Sequence, residues 1–389
     1  MAYNRKQRLN DNIKAIETAF ILDREQRTPT ARERLLLERY CGFGGLKCIL
    51  NPARELADAV HWAKSDLELF APTVELHRLI RENSKNESEY KQLMDSLKQS
   101  VLTAFYTPSA VTEALTDVLK EHQIIPEKVL EPSAGIGAFV DSVLDNNPKA
   151  DIMAFEKDLL TGKILRHLHP EQKVRIEGFE KIEKPFNDYF DLAISNIPFG
   201  DVAVFDPSYT AMKGMRALVT RRIHNYFFVK ALDTVRDGGL VAFITSQGVL
   251  NAKNNSAARF MMLYHADLVS AIRLPNNLFT ENANTEVGSD LIILQKNSQK
   301  ESLRGDDNLL DTVYNDENRI PTNNYFLEHP ERIIHTTAKL DTDPFGKPAM
   351  IYTHEDGVEG IAEDLRKMLH EDFKKNLNLN RYLGIEETM

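Results

Sequence analysis

The sequence predicts a doubly wound, mostly parallel α/β sheet carrying a helical N-terminal extension. Three observations predict it. Short apolar, β-branched runs alternate with helical stretches from about residue 100 to 300. The first hundred residues place apolar side chains at helical spacing among many Glu, Lys, Arg and Leu. One of the apolar runs also passes straight into a glycine turn and then a helix, the junction at which such sheets bind ligands.

Taken in order, residues 1–100 give the helical segments NDNIKAIETAFILDREQR, TARERLLLERY and SEYKQLMDSLKQSVL. They are interrupted by CGFGGLK, whose glycines suit a tight turn or a close approach to a ligand. Residues 101–300 form the α/β domain. Its strands are KVLEPS, DIMAFE, KVRIEG, FDLAIS, LVAFITS and DLVSAIRL, with SDLIILQK (Ser289–Lys296) the last, and helices such as SAVTEALTDVLKEH and NYFFVKALDTVRDGG lie between them. Residues 301–389 form an acidic segment with weak helical signals, clearest in GVEGIAEDLRKMLHEDFKK.

At 389 residues and 42% hydrophobic composition the chain can bury a large core. No run of about 18 apolar residues occurs and the start is polar and helical, so neither a membrane span nor a secretion signal is expected, and the expected location is cytoplasmic. Cys41 and Cys48 lack His or Cys partners at ligand spacing and read as ordinary thiols, with no metal site. The net charge of −10 is uneven, because residues 301–389 hold 19 acidic and 10 basic side chains and the rest is nearly neutral. DNA is therefore not excluded as a partner. Between Pro207 and Lys230 lie Lys213, Arg216, Arg221, Arg222 and Lys230 without an acid, a stripe suited to phosphates. Charge alone leaves a solvated basic loop equally open.

Two strand ends carry the chemistry. EPSAGIGAFV (Glu131–Val140) places Gly135 and Gly137 where the backbone can turn under a ligand and aim helix N–H groups at it. Val140 breaks the full dinucleotide pattern, which argues against a nicotinamide cofactor. The next strand ends in Glu156, an acid positioned to accept from both ribose hydroxyls, so the unit reads as a nucleoside site. FDLAIS ends in SNIPFG (Ser195–Gly200), where an amide, a proline and an aromatic could form a simple turn.

FYTP (Phe105–Pro108), EPSAGIGAF, Glu156 and SNIPFG, in that order, resemble the adenine-N6 DNA methyltransferases whose cofactor motif precedes the catalytic one. LLLERYCGFGGLK and HNYFFVKALDTVRDGGLVAFITSQG are further similar to the methylase region of phage and mobile-element proteins that join a methylase to a helicase. The resemblance covers roughly residues 100 to 300. It implies a Rossmann-like S-adenosylmethionine-dependent methyltransferase fold with DNA as substrate. No helicase motif occurs, so the chain reads as a stand-alone relative or a piece of something longer. A helicase or a target-recognition partner would then supply sequence preference.

The resemblance assigns roles. Asn196, Ile197, Pro198 and Phe199 would be catalytic, with the Asn196 side-chain oxygen and the Ile197 carbonyl accepting from the adenine amine and Phe199 stacking on a flipped base. Ile197 departs from the usual Asn-Pro-Pro-aromatic pattern, which removes the fixed φ of proline and leaves the carbonyl. Phe105, Tyr106 and Thr107 would lie near the methionine part of S-adenosylmethionine. Glu131 and Gly135 would lie around its amino-acid end, with Glu156 on the ribose and Phe179 near the adenine, and Pro132, Ser133, Ala134 and Gly137 would also bind the cofactor. The acid expected at the third strand is either Glu177 or Glu180. Lys213, Arg216, Arg221, Arg222 and Phe279 would contact DNA, while His224 and Asn225 suit a helix start as well as a DNA contact. DPSY (Asp206–Tyr209) resembles a rival motif, but its distance from FDLAIS is too short for a new parallel strand, so it reads as loop. A protein-glutamine methyltransferase and a catalytically silent DNA-binding or anti-restriction module are the other readings.

Overall fold

The computed structural model describes residues 4–103, 106–212, 214–280, 286–303, 307–314, 319–343 and 346–385. Its centre is a seven-stranded sheet of order β3-β2-β1-β4-β5-β7-β6. The strands are β1 (Lys128–Glu131), β2 (Asp151–Phe155), β3 (Lys173–Arg175), β4 (Phe190–Asn196), β5 (Val235–Ser246), β6 (Ala266–Leu274) and β7 (Ser289–Lys296). The first five pair in parallel, and β7 runs antiparallel between β5 and β6. Only an antiparallel β7 can pair directly with the β6 that precedes it without a long crossover.

Four helices precede the sheet: α1 (Arg5–Glu25), α2 (Ala31–Glu38), α3 (Phe70–Glu82) and α4 (Glu87–Thr103). A capping box between Thr30 and Glu33 starts α2. Then come α5 (Ser109–Glu121), α6 (Ala138–Asn146), α7 (Leu159–Leu168), α8 (Pro207–Thr210), α9 (Ile223–Thr234), α10 (Ser256–His265) and α11 (Gly357–Asn376). The apolar faces of α5, α6 and α11 cover one side of the sheet, and α9 and α10 the other. Burial on both faces explains why the strands read as continuous apolar runs.

The N-terminal extension has its own core, in which Leu9, Ile13, Ile16, Tyr40 and Phe43 meet Leu160, Ile164 and Leu168 of α7. Polar ties reinforce this seam: the His167 ring lies 2.8 Å from Asp23, and Arg34 donates to the Leu168 carbonyl at 2.7 Å. The CGFGGLK segment is a turn, with Gly42 and Gly45 at φ 67° and 77°, held by buried Asn12, which donates to the Gly42 carbonyl at 2.7 Å. The acidic segment adds two small hairpins, β8 (Thr312–Tyr314) with β9 (Pro321–Asn323) and β10 (Thr337–Thr342) with β11 (Pro348–Thr353). It also supplies α11, which buries Ile361, Leu365, Leu369 and Phe373 against α5 and β6. Among the described residues no helix is long and apolar enough to cross a membrane.

Candidate active site

The carboxyl ends of β1, β2 and β4 meet at one edge of the sheet. After Glu131 the chain turns through Pro132 and Ser133, and the Ala134 N–H returns to the Phe155 carbonyl of β2 at 2.9 Å. Gly135 at φ +57° and Gly137 at φ +97° adopt backbone that side chains other than glycine rarely tolerate. Glu156 closes the turn by accepting from the Gly135 N–H at 2.8 Å and the Asp158 N–H at 2.7 Å. Burial, and then the charge of Asp158, pushes the Glu156 carboxyl up to about 8. Burial also pushes Glu131 up to about 8, against the opposing hydrogen bond from Ser195. Asp158 caps α7 through the Thr161 N–H at 2.8 Å, while its Oδ2 is buried without a partner among the described residues.

Tyr106 packs against this turn. A Cβ on Gly135 would stand 2.9 Å from its ring, and its hydroxyl is 3.4 Å from Thr161 Oγ1, the atom that Tyr40 of the extension also approaches at 3.2 Å. Thr107 is buried, with no partner for its hydroxyl among the described residues. Phe105 lies outside the described residues. Phe179 is fully buried with its ring centroid 5.8 Å from Phe155 and 5.2 Å from Phe227. Of the two acids beside it, Glu177 is tied to Arg175 at 2.6 Å, whereas Glu180 folds over Gly178 and stands 3.8 Å from Lys157.

On β4, alternation puts Leu192 and Ile194 in the core under α5 and α6, and Ala193 and Ile197 in the opposite one. Asn196, half-buried and paired with Ile244 of β5, therefore faces the α5 and α6 side. Ile197 does more than fill the place of a proline. Its N–H donates to the Ile244 carbonyl at 3.0 Å and its side chain is 1% exposed. Phe199 meets Phe279 edge to face, centroids 6.3 Å apart, and Phe279 is fully buried behind it. His224 and Asn225 are buried at the start of α9, where Asn225 donates to Asn255 at 2.9 Å and burial holds the imidazole down at about 4.

The basic stripe is largely paired by acids lying just outside it. Arg216 grips Asp233 with bonds of 2.6 and 2.9 Å, Arg222 meets Asp201 at 2.7 Å, and buried Lys230 meets Asp206 at 3.2 Å. Arg221 is exposed and its side chain has no partner among the described residues, and Lys213 lies outside them. The DPSY segment is a helix cap. Asp206 accepts from the Ser208 N–H at 2.8 Å and from the Tyr226 hydroxyl at 2.6 Å, and Tyr209 is buried.

A sheet of this order, with a glycine turn after β1 and an acid ending β2, defines a Rossmann-like methyltransferase. The chain belongs to the N-6 DNA methylase family, whose model matches residues 88–388. DNA methylation is the general reaction of that family and S-adenosylmethionine its cofactor. The chain is 29% identical over 201 residues to the defense against restriction protein B of Escherichia phage P1, a match covering 50% of this chain and 8% of that protein. It is 25% identical over 173 residues to the type II methyltransferase M.XamI of Xanthomonas campestris pv. amaranthicola, covering 41% of this chain and 33% of that protein. Both matches thus span under two thirds of the relative's length. Among solved structures, the type I restriction-modification system methyltransferase subunit from Streptococcus thermophilus is 16% identical, with a TM-score of 0.42 over 82% of this chain and 69% of that one.

Proposed function

We propose that this chain transfers a methyl group from S-adenosylmethionine to N6 of adenine in DNA, on a base turned out of the duplex. The observation that supports it best is that the Gly135 turn, Glu156 and Asn196 end neighbouring strands at one edge of the sheet. The edge suits the cofactor: two glycines of positive φ open the turn, and buried polar atoms of Thr107 and Asp158 stand around it without a partner among the described residues. When bound, the cofactor supplies an electrophilic methyl on a sulfonium.

The chain's own residues do the rest. Glu156 accepts from the ribose hydroxyls. An adenine amine is a poor nucleophile because its lone pair is delocalised into the ring. The Asn196 oxygen and the Ile197 carbonyl accept its two N–H groups, gather that lone pair on nitrogen and aim it at the methyl, an effect of orientation and electrostatics. Phe199, backed by Phe279, stacks on the base and offsets part of an unstacking cost of a few kcal/mol. Arg221 contacts phosphate. Sequence preference is weak or degenerate unless a helicase, a target-recognition partner or a further segment supplies it.

The name of the matched phage protein favours a second reading, a catalytically silent anti-restriction module. Methyl-labelled cofactor incubated with duplex DNA or with protein separates the readings. Label is expected in N6-methyladenine and is expected to vanish in Asn196→Ala with cofactor affinity kept, since that contact acts mainly in the transition state. Label in protein, no label at all, or an active Asn196→Ala enzyme overturns the proposal.

A further inference from the structure

The chain between Phe199 and α9 forms a lobe that is built inside out. Its base closes just after Phe199, where Arg222 meets Asp201 at 2.7 Å and the Val204 N–H donates to the Thr220 carbonyl at 2.8 Å. Inside, polar groups hold it. Buried Asp206 accepts from the Tyr226 hydroxyl at 2.6 Å and pairs with Lys230, while buried Tyr209 and half-buried Arg216 both bond to Asp233. Outside, Val202, Phe205, Met212, Met215 and Leu218 are all exposed, Phe205 to 79%. Met215 and Leu218 lie three apart on the short helix Met215–Val219 and share the outer face, and Val219 turns inward. Polar bonds thus fix the lobe in a pose that leaves its apolar side chains in water, which marks a binding surface.

Resting on the proposed function, we infer that duplex DNA covers this face and that Phe205 is a wedge that enters the base stack beside the target adenine. Two observations select DNA over a protein. The first is charge. The sole acid from Val202 to Arg222 is buried Asp206, and exposed Arg221 carries a guanidinium with no partner among the described residues, so the outer face is apolar and cationic. Phe205 and Arg221 each adjoin a member of the Val204–Thr220 pair, which keeps aromatic and cation near each other. A phosphate contact beside an apolar side chain that parts two bases is the combination by which wedge-inserting proteins grip DNA. The second is reach. Phe205 follows Phe199 by six residues, so even a fully extended chain keeps the two within roughly 20 Å. A base that leaves the stack opens a gap. An apolar side chain this near fills it and lowers the cost of unstacking, while Phe199 holds the base itself.

The test is methyl transfer to one DNA sequence in two forms, a fully paired duplex and the same duplex with an abasic site opposite the modified adenine. Phe205→Ala is expected to slow transfer to the paired form about tenfold and to the abasic form less than about twofold, because flipping costs less there. Its melting temperature and the salt dependence of its DNA binding are expected to match the parent, since the side chain is exposed and uncharged. Phe205→Leu keeps an apolar wedge and is expected to retain most of the rate. Equal loss on both forms, or none on either, overturns the inference. So does a parent that sediments as a dimer which Phe205→Ala splits, since a second copy would then cover the face. Asn196→Ala separates the two readings: if it abolishes transfer to both forms, the proposed function stands whatever Phe205 does. If the parent methylates no DNA, both fall.

Discussion

Replacing Ile197 by proline would restore the usual motif, and the structure predicts that the restoration destabilises this protein. The Ile197 N–H donates to the Ile244 carbonyl at 3.0 Å, carrying the β4–β5 ladder one residue past Asn196. Proline has no N–H, and leaving the buried acceptor without its partner costs roughly 1–3 kcal/mol. Ile197 is 1% exposed in the core on the α9 side of the sheet, and proline buries one carbon fewer, about 0.8 kcal/mol. Together these give a loss of about 2–4 kcal/mol, read as a lower urea midpoint with unchanged slope. Methyl transfer per folded molecule is expected to stay near that of the parent, since the proposed reaction uses only the carbonyl of this position. An Ile197→Pro variant as stable as the parent would refute the reasoning that the ladder, rather than a proline ring, holds this loop.

Glu131 gives a pH signature. Its carboxyl titrates near 8 when folded against an ordinary 4.5, so the folded state retains a proton that the unfolded chain releases, and stability falls as pH rises from 4.5 through 8. Glu156 is raised to the same range, so Glu131→Gln is expected to lessen that fall in urea titrations without abolishing it, and a profile that still falls as steeply would rule the assignment out. Gly135→Ala is expected to cost about 1–3 kcal/mol for its positive φ and to weaken cofactor binding by pushing on Tyr106, measured by melting and calorimetry. Arg221→Ala should lower DNA affinity and shrink its salt dependence without altering the melting temperature. Arg216→Ala should instead lower the melting temperature by stranding half-buried Asp233, and equal effects of the two on DNA would count against this division.

How far the fold was legible depended on whether a signal was local. The seven strands showed in their own apolar runs, and Gly135 and Glu156 showed because a turn and an acid at a strand end carry local meaning. Pairing did not show. The stripe from Pro207 to Lys230 holds no acid, yet Asp201, Asp206 and Asp233, just beyond its ends, fold back onto Arg222, Lys230 and Arg216. Ile197 looked like a lost proline because the motif pattern says nothing about which strand receives its N–H. The apolar spacing of Ile361, Leu365, Leu369 and Phe373 announced a helix, but its partners lie far back in the chain.

That helix also sets a timetable for synthesis. α5, which opens from the Thr107 turn, is covered by α11, and Arg366 reaches Asp117 across 249 residues of sequence at 2.8 Å. At about 5–20 residues per second a ribosome needs roughly 12–50 s to make that interval. Through all of it the flank of α5 that meets α11 stays open, although α6 already packs against the helix. During those seconds the nascent chain presents the open flank of α5, and later that of β6, as a sticky surface that chaperones can hold.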